Sequence, residues 1–369
     1  MGTSKQIEEV GMKMNGLETT KKFEFNNKKD KTEILVIKSN KRKREEEVNI
    51  NLRKGKVQKT EEYKYLGDYY DRSGKNEGKI RKKMEKAKYM AHETKRMGSY
   101  GNVGNAAITV RMILLDMVVK PSLLSNAETW CNITMAEETQ LTKHHHKILC
   151  IVFGQKKSTP YYGIIAETGI WPYKDVITYK KLMFLHNLTH SDDNRVAKQI
   201  VVKQHQDKDE TSWYGELQEK AKGLDLDIGI KEVQKWPKST WKKKVKEKIK
   251  IRINKDLEQE TEKKTKLRFL RGKAHKKEVM DSSRCEKIMD IRLNMISAKA
   301  NYRNQYTKTT CVGCFGEEET TEIPSTNRSQ IDLKRGKEEM NSIEWLYKAA
   351  NTIDMIEEIR SKRTQVYGS

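Results

Sequence analysis

The chain has 369 residues, with 75 Lys and Arg against 52 Asp and Glu, and therefore a net charge of +23. Hydrophobic residues make up only 35% of it, so core-forming residues must be concentrated in parts of the chain. No run approaches 18 consecutive apolar residues, which argues against a membrane-spanning helix. The N-terminal residues lack the apolar stretch of a signal peptide, and the five irregularly spaced Cys predict no disulfide framework. We therefore expect an intracellular protein, nuclear or cytoplasmic, with no membrane partner.

The positive charge is clustered, which points to a polyanionic partner. Residues 235–277 hold 18 Lys and Arg against 5 acidic residues, and residues 79–96 hold eight against two. Nucleic acid is the commonest polyanion inside cells, and such clusters bind its phosphates with strong salt dependence. The alternative is that lysine only keeps a helix-rich protein soluble.

The N-terminal part of the sequence predicts short strands. Residues 31–37 form a β-rich run, and Val48–Leu52 alternates apolar and polar residues as a half-buried strand does. Tyr63–Gly67 predicts a second strand that ends in glycine. We expect Val48–Leu52 and Tyr63–Gly67 to pair as a hairpin.

From residue 75 onward the apolar spacing becomes helical. Residues 79–96 predict a helix with one apolar stripe and one basic face, and a second helix is expected to end or bend at Pro121. Thr134–Glu137 fits a capping box, which opens a helix that Gly154 is placed to stop. Further helices are predicted on both sides of Gly169–Pro172 and over residues 286–306 and 339–361.

Three short motifs contain metal-ligand residue types, but none makes a complete site. His144–His146 are consecutive, and neighbours on a helix point about 100° apart, so they cannot converge on one ion. Asp192–Asp193 is interpreted as a polar helix end. Cys311 and Cys314 have the C-x₂-C spacing of half a zinc site, yet neither His nor Cys occurs in the remaining 55 residues. We expect no cofactor in this chain and no small-molecule substrate.

Several segments, in their order along the chain, resemble LINE-type (non-LTR) retrotransposon reverse transcriptases. Glu62–Gly67 (Glu-Tyr-Lys-Tyr-Leu-Gly) resembles the primer-grip motif, and Phe25–Ile37 resembles the last palm motif before it. The segments that resemble the region after the thumb in insect-type elements are Ser158–Gly163, Gly169–Pro172, Leu185–Arg195, Lys266–Arg271, Arg292–Met295 and Ala300–Tyr302. Cys311 and Cys314 fall where the family carries its Cys/His knuckle. The resemblance covers about residues 15–327.

The resemblance implies a mainly α fold with a small N-terminal α/β portion. A palm remnant with the primer-grip β-hairpin would occupy residues 1–74, and a helical thumb-like domain residues 75–190. A basic helical linker region would follow over residues 191–310, and a degenerate Cys/His knuckle with a C-terminal helix over residues 311–369.

The predicted partner is RNA or DNA, contacted through its phosphate backbone. Tyr65, Leu66 and Gly67 of the hairpin would hold a primer 3′ end. Trp236 and Trp241 are interpreted either as stacking on bases or as packing in a core. The remaining residues predicted to contact nucleic acid, tryptophans included, are Lys79, Arg81, Lys82, Lys83, Lys88, Trp236, Trp241, Lys242, Lys243 and Lys244.

Two departures from the family pattern limit the expected activity. The family's catalytic aspartates lie in motifs upstream of Phe25, whereas the 24 residues before Phe25 contain no Asp. Ile323 and Asn327 stand where the knuckle has His and Cys, so Cys311 and Cys314 would supply only two of the four zinc ligands. Magnesium belongs to the intact family, an RNA-directed DNA polymerase that acts in target-primed reverse transcription.

We therefore expect a nucleic-acid-binding C-terminal fragment of such a reverse transcriptase, without catalytic residues and inactive alone. One alternative is a lysine-rich helical interaction or structural protein without enzymatic activity. Another is an active polymerase or nuclease whose carboxylates do not match a known motif.

Overall fold

The computed structural model describes residues 33–36, 51–52, 55–56, 58–65, 67–74, 76–97 and 108–263. The chain divides into two compact units, the first ending at Lys83 and the second beginning at Met84. The described part is mainly helical with short N-terminal strands, which confirms the predicted fold class.

The first unit contains three short strand pairs. One pair is parallel and two are antiparallel. The pairs are β1 (Glu33–Leu35) with β4 (Gln58–Thr60), β2 (Asn51–Leu52) with β3 (Gly55–Lys56), and β5 (Glu62–Tyr65) with β6 (Asp68–Asp71).

A β-hairpin is present, but its predicted pairing is wrong. Glu62–Tyr65 pairs with Asp68–Asp71, and Tyr65 lies opposite Asp68 across a two-residue loop. Gly67 occupies that loop with φ +85°, a conformation that glycine adopts without steric cost. Closing a two-residue loop costs less entropy than joining Tyr63–Gly67 to Val48–Leu52 across the intervening residues, so the local partner wins.

The start of the first long helix, α1 (Glu77–Met97), belongs to the first unit. Its Ile80 is 1% exposed, and the Lys83 ammonium forms an ion pair with the Asp68 carboxylate, both side chains being buried. A buried charge is tolerated when it is paired, so Lys83 contributes to the packing of this unit.

The second unit holds the rest of α1 and a set of shorter helices. Their bounds are α2 (Ile108–Leu114), α3 (Lys120–Leu124), α4 (Met135–Val152), α5 (Tyr161–Thr168), α6 (Tyr173–Thr189), α7 (Val196–Asp207), α8 (Trp213–Lys222), α9 (Ile230–Gln234) and α10 (Lys238–Lys263), with a 3₁₀ turn at Ala127–Thr129.

The helical hydrogen-bond pattern changes just before Pro121, but the helix does not end there, since α3 continues to Leu124. A π-helical turn, Leu115–Val119, joins α2 to α3, and the Lys120 N–H donates to the Leu115 carbonyl five residues back. Because Pro121 has no N–H to continue the α-helical ladder, the wider turn supplies the hydrogen bonding at this point.

The predicted capping box at the start of α4 is confirmed. The Glu137 N–H donates to the Thr134 hydroxyl, and the Glu137 carboxylate accepts from the Thr134 N–H at 2.7 Å. The helix ends at Val152, and Gly154 follows with φ +69°. Two orphan N–H groups at the helix start are thereby satisfied, as the pattern requires.

The core of the second unit continues across residue 190. Leu182, Leu188, Val201, Leu217 and Trp241 belong to one buried cluster, to which α6, α7, α8 and α10 all contribute. Residues 196–263 are therefore packed helices of this unit, where the sequence predicts the start of a linker region.

Four charged side chains connect three helices at the edge of this core. The Lys181 ammonium of α6 lies 3.0 Å from the Glu216 carboxylate of α8, and Lys181 is 0% exposed. Lys220 lies 3.1 Å from Glu216 and 3.1 Å from Glu138 of α4. The Asn132 N–H also donates to Glu216 at 2.9 Å. We call these four side chains (Lys181, Glu216, Lys220 and Glu138) the ion network.

Burial and the neighbouring charges shift the pKa values of the ion network in opposite directions. Desolvation lowers the pKa of Lys181, and the neighbouring Glu216 only partly offsets it. Burial raises the pKa of Glu216, but the two lysines lower it by more, so that it lies below its ordinary value. Each charge therefore depends on its partner to remain ionised.

No helix within residues 76–97 or 108–263 is long and apolar enough to cross a membrane.

Replacing Glu216 tests the ion network. Glu216→Gln leaves the Lys181 ammonium buried without a counter-charge, and breaking a buried ion pair in this way costs about 3 kcal/mol. We expect the free energy of unfolding, measured by urea denaturation followed by tryptophan fluorescence, to fall by about that amount. Glu219→Gln, on the same helix, breaks a pair with Lys222 in which both side chains are exposed. It should leave the unfolding midpoint unchanged, and equal effects of the two variants would contradict a role for burial.

Candidate nucleic-acid interface

An antiparallel contact between α6 and α10 positions the basic surface of the second unit. The Trp241 indole N–H donates to the Leu182 carbonyl at 3.2 Å. Nearer the other end, the Arg252 guanidinium pairs with Asp175, and both side chains are largely buried. Residue numbers increase along α10 while those of its partners on α6 decrease, so the two helices are antiparallel. One face of α10 is therefore fixed against α6.

One flank of α10, about 100° around the helix from its buried face, carries four exposed lysines: Lys242, Lys243, Lys246 and Lys250. At 100° per residue they fall within an arc of about 100° and extend about 12 Å along the helix. We call these four residues the lysine stripe. The buried face is formed by Trp241, Val245, Ile249 and Ile253, at intervals of four residues. This spacing makes α10 amphipathic and leaves the lysine stripe in water.

The lysine stripe differs from two neighbouring lysines, Lys174 and Lys248, in its ion pairing. Among the described residues, none of the ion pairs involves a member of the stripe. By contrast, Lys174 and Lys248 on either side of it pair with Asp256 and Asp225. Four positive charges thus lie together on one helix, with the exposed Glu247 four residues after Lys243 and three before Lys250.

Two aromatic rings lie beside the stripe. The Lys246 ammonium is 6.0 Å from the centroid of the Tyr179 ring, and that ring meets Trp171 edge to face at 5.9 Å. Both rings are half-buried and pack against the core. Neither ring is among the residues predicted from the sequence, because only the packing of α6 on α10 brings Tyr179 to Lys246.

Of the two predicted stacking residues, only Trp236 has an accessible ring. Trp241 is 0% exposed and packs in the core, which removes it from the predicted interface. Trp236 is half-buried, its N–H donates to Glu232 at 3.2 Å, and the Lys244 ammonium lies 4.6 Å from its ring centroid. One face of Trp236 therefore already carries a cation.

The predicted basic residues of α1 have different environments. Lys79 and Lys83 are buried, at 8% and 3% exposure, and Lys79 lies over the Tyr70 ring, so neither can present its charge to a phosphate. Lys82 is half-buried and pairs with Glu62. Arg81 and Lys88 are exposed.

The predicted primer-grip residues lie on the hairpin. Tyr65 ends β5 and is 57% exposed, and Gly67 is exposed in the loop that follows. Leu66 lies outside the described residues, as do Cys311 and Cys314. The hairpin thus presents a tyrosine ring at its tip.

The metal-like motifs do not bring ligands together in the described part of the chain. His145 is 0% exposed and stacks on Tyr173, with the ring centroids 3.6 Å apart. The His145 ring is hydrogen-bonded to the Tyr161 hydroxyl at 2.9 Å. The His146 ring is hydrogen-bonded to the Thr159 carbonyl. Asp193 pairs with Lys198. Within residues 33–263 as described, no three His, Cys, Asp or Glu side chains are placed to hold a metal ion.

Comparison with known proteins gives no relative: no family model, no curated protein and no solved structure matches this chain.

The lowered pKa values of two histidines, His144 and His145, predict that the protein loses stability in mild acid. Burial lowers the pKa of His145 well below its ordinary value and that of His144 to about 4. In the unfolded chain both titrate near 6.5, so below that pH the unfolded state binds protons that the folded state does not. Stability is therefore complete above about pH 6.5 and falls as the pH drops, by about 1.4 kcal/mol per pH unit for each histidine.

His145→Asn should reduce the slope of the unfolding free energy against pH, between pH 6.5 and 5.5, by about 1.4 kcal/mol per pH unit, which corresponds to one proton. The measurement is urea denaturation at several pH values. His92→Asn, at an exposed histidine of α1, is the control for removing one imidazole. A wild-type slope in His145→Asn would show that this ring does not control the acid sensitivity.

Proposed function

We propose that this chain binds the phosphate backbone of RNA or DNA through the lysine stripe. The observation that carries the proposal is the set of four exposed ammonium groups on one helix face, none of which pairs with a carboxylate of the described residues. The whole chain's charge of +23 favours the same class of partner.

Backbone contacts of this kind are independent of base sequence and depend on salt. Each phosphate that a lysine neutralises releases counterions, which supplies the driving force at low ionic strength. Lysine presents a point charge without the fixed geometry that reads a base edge. The lysine stripe therefore favours a non-specific polynucleotide contact, and Trp236 can add stacking on the unpaired bases of a single strand.

We further propose that the chain corresponds to the C-terminal part of a LINE-type reverse transcriptase and has no polymerase activity alone. This rests on the order of the resembling segments and on the lack of residues that match the family's catalytic aspartates. Template, primer and magnesium supplied to the purified chain should give no extension. Magnesium-dependent extension would overturn this part of the proposal and support a polymerase with unrecognised carboxylates.

One observation favours the alternative of an interaction protein without nucleic-acid affinity. Many lysines of the second unit form ion pairs with carboxylates of the same unit, so part of the charge serves the fold. These lysines include Lys174, Lys180, Lys181, Lys198, Lys220 and Lys248. Under this alternative, binding to polynucleotides is absent even at low salt.

Salt dependence and substitution of the stripe test the main proposal. If four phosphates are contacted, the Kd for a single-stranded oligonucleotide should rise about 50-fold between about 50 and 200 mM salt, and that for a duplex about 150-fold. Replacing all four lysines of the stripe by Gln should remove most of this slope, about 0.7 per lysine on a single strand. The measurement is fluorescence anisotropy with a labelled oligonucleotide.

A charge-matched variant separates the stripe from net charge. Replacing Lys157, Lys203, Lys208 and Lys231 by Gln removes the same four charges from exposed positions elsewhere in the unit. It should retain most of the salt slope. Equal losses in the two variants would show that the lysine stripe has no special role.

A separate prediction concerns the ring of Trp236 and the difference between single-stranded and duplex oligonucleotides. Trp236→Leu keeps an apolar side chain against the core but removes the ring, so single-strand affinity should fall by about 1–3 kcal/mol while duplex affinity is unchanged. Parallel anisotropy titrations with single-stranded and duplex oligonucleotides check it. An equal loss on both substrates would argue against stacking.

A further inference from the structure

Trp171 and Tyr179 form a pair of half-buried aromatic rings beside the lysine stripe. The Tyr179 ring meets Trp171 edge to face, with the centroids 5.9 Å apart and the planes at 86°, a geometry that restrains the tyrosine ring. The Lys246 ammonium lies 6.0 Å from the Tyr179 centroid. Because Lys246 is the third of the four stripe lysines along α10, the tyrosine ring lies level with the stripe and not beyond its ends.

We infer that the Tyr179 ring stacks on an unpaired base of a single-stranded polynucleotide whose phosphates lie on the lysine stripe. Stacking of this kind rests on the proposed function, since the strand must already be held on the stripe. Proteins commonly hold single strands with a basic surface that follows the backbone and aromatic rings on which the bases stack. The bases of a duplex are covered by their neighbours, so the ring favours single strands.

The Tyr179 ring is less occupied by a cation than the Trp236 ring. The Lys244 ammonium lies 4.6 Å from the Trp236 centroid. The Lys246 ammonium lies 6.0 Å from the Tyr179 centroid, which is the outer limit of a cation–π contact. A base therefore reaches the tyrosine without displacing a close ammonium group, and Lys246 keeps its charge for the backbone of the same strand.

The two rings lie on different flanks of α10. Lys244 lies over Trp236 and Lys246 lies near Tyr179. These two lysines are two residues apart, so they point about 160° away from each other around the helix. A strand on the lysine stripe therefore meets Tyr179 first, and only a strand long enough to pass round α10 reaches Trp236.

The flank that carries Lys244 also holds less net positive charge than the stripe. Glu232 accepts a hydrogen bond from the Trp236 indole and pairs with Lys235. Asp225 pairs with Lys248, one turn after Lys244. Since these carboxylates offset the nearby lysines, a polynucleotide backbone is attracted more strongly to the stripe and to the ring beside it.

Substitution of Tyr179 in the full-length chain tests the stacking. Tyr179→Leu keeps an apolar side chain against the core but removes the ring. The Kd for a single strand of about eight nucleotides should rise at least about fivefold, while the Kd for a duplex of the same length is unchanged. Tyr179→Phe keeps the ring and should bind as the wild type does. Fluorescence anisotropy at low salt measures both variants, and an equal loss in Tyr179→Phe would contradict stacking, because the hydroxyl would then make the contact.

Phe184→Leu is the matched control. Phe184 also lies on α6, is half-buried, and meets the Trp213 ring edge to face at 5.8 Å. It follows Tyr179 by five residues, which places it about 140° away around α6. Phe184→Leu should leave the single-strand Kd unchanged. A loss equal to that of Tyr179→Leu would overturn the inference, because it would reflect only looser packing of α6.

Photo-crosslinking of the wild-type chain does not depend on the stability of any variant. A single strand of about eight nucleotides that carries bromouracil is irradiated with the protein, and the crosslinked residue is identified by mass spectrometry. We expect the crosslink at Tyr179. Crosslinks at Trp236 or at the hairpin residue Tyr65, with none at Tyr179, would refute the assignment.

Failure of this inference can be told apart from failure of the proposed function. Replacing the four stripe lysines by Gln can remove the salt slope while Tyr179→Leu binds single strands as tightly as the wild type. In that case the stripe binds phosphates and the stacking is wrong. If neither single strands nor duplexes bind the wild-type chain at about 50 mM salt, the proposed function and the stacking are both wrong.

Discussion

The packing of α10 against α6 is the contact on which the surface chemistry of the second unit depends. Trp241 is fully buried in it and bonds the Leu182 carbonyl, while Arg252 is held by the buried carboxylate of Asp175. Because one side of α10 is committed to this contact, its rotation about its own axis is fixed. The lysine stripe beside that contact is displayed as a consequence of the core, without needing any ligand to order it.

Lysine serves two opposite purposes in this protein. In the ion network, Lys181 is removed from water, and the Glu216 carboxylate 3.0 Å away stabilises its charged form. In the lysine stripe the charges remain hydrated and keep their attraction for an external polyanion. The distinction between structural and available lysines depends on burial and pairing, so net charge alone overstates the binding surface.

The sequence predicts those features that are decided by neighbouring residues. The capping box at Thr134 and the change of helical hydrogen-bond pattern before Pro121 follow from hydrogen bonds that a few adjacent residues make or lack. The hairpin partner was missed because Asp68–Asp71 has no strong β pattern and the tight loop at Gly67 decides the pairing. The burial of Lys83 was readable: it lies three residues after Ile80 and four before Ala87, on the apolar stripe of α1.

Other parts of the candidate site depend on tertiary contacts that local pattern cannot supply. Tyr179 comes close to Lys246 only because α6 packs against α10, and Trp171 in turn meets the Tyr179 ring. The pairing of Lys174 and Lys248, which sets the lysine stripe apart, likewise needs partners from distant positions. Amphipathic spacing around Trp241 does indicate its burial, since Val245, Ile249 and Ile253 follow at four-residue intervals.

The most direct test of the central claim is lysine footprinting of the full-length chain with an acetylating reagent, read by mass spectrometry with and without a single-stranded oligonucleotide at low salt. We expect Lys242, Lys243, Lys246 and Lys250 to be reactive in the free chain, to become protected by the oligonucleotide, and to regain reactivity at high salt. Bound oligonucleotide that protects other lysines while these four keep their full reactivity would contradict it.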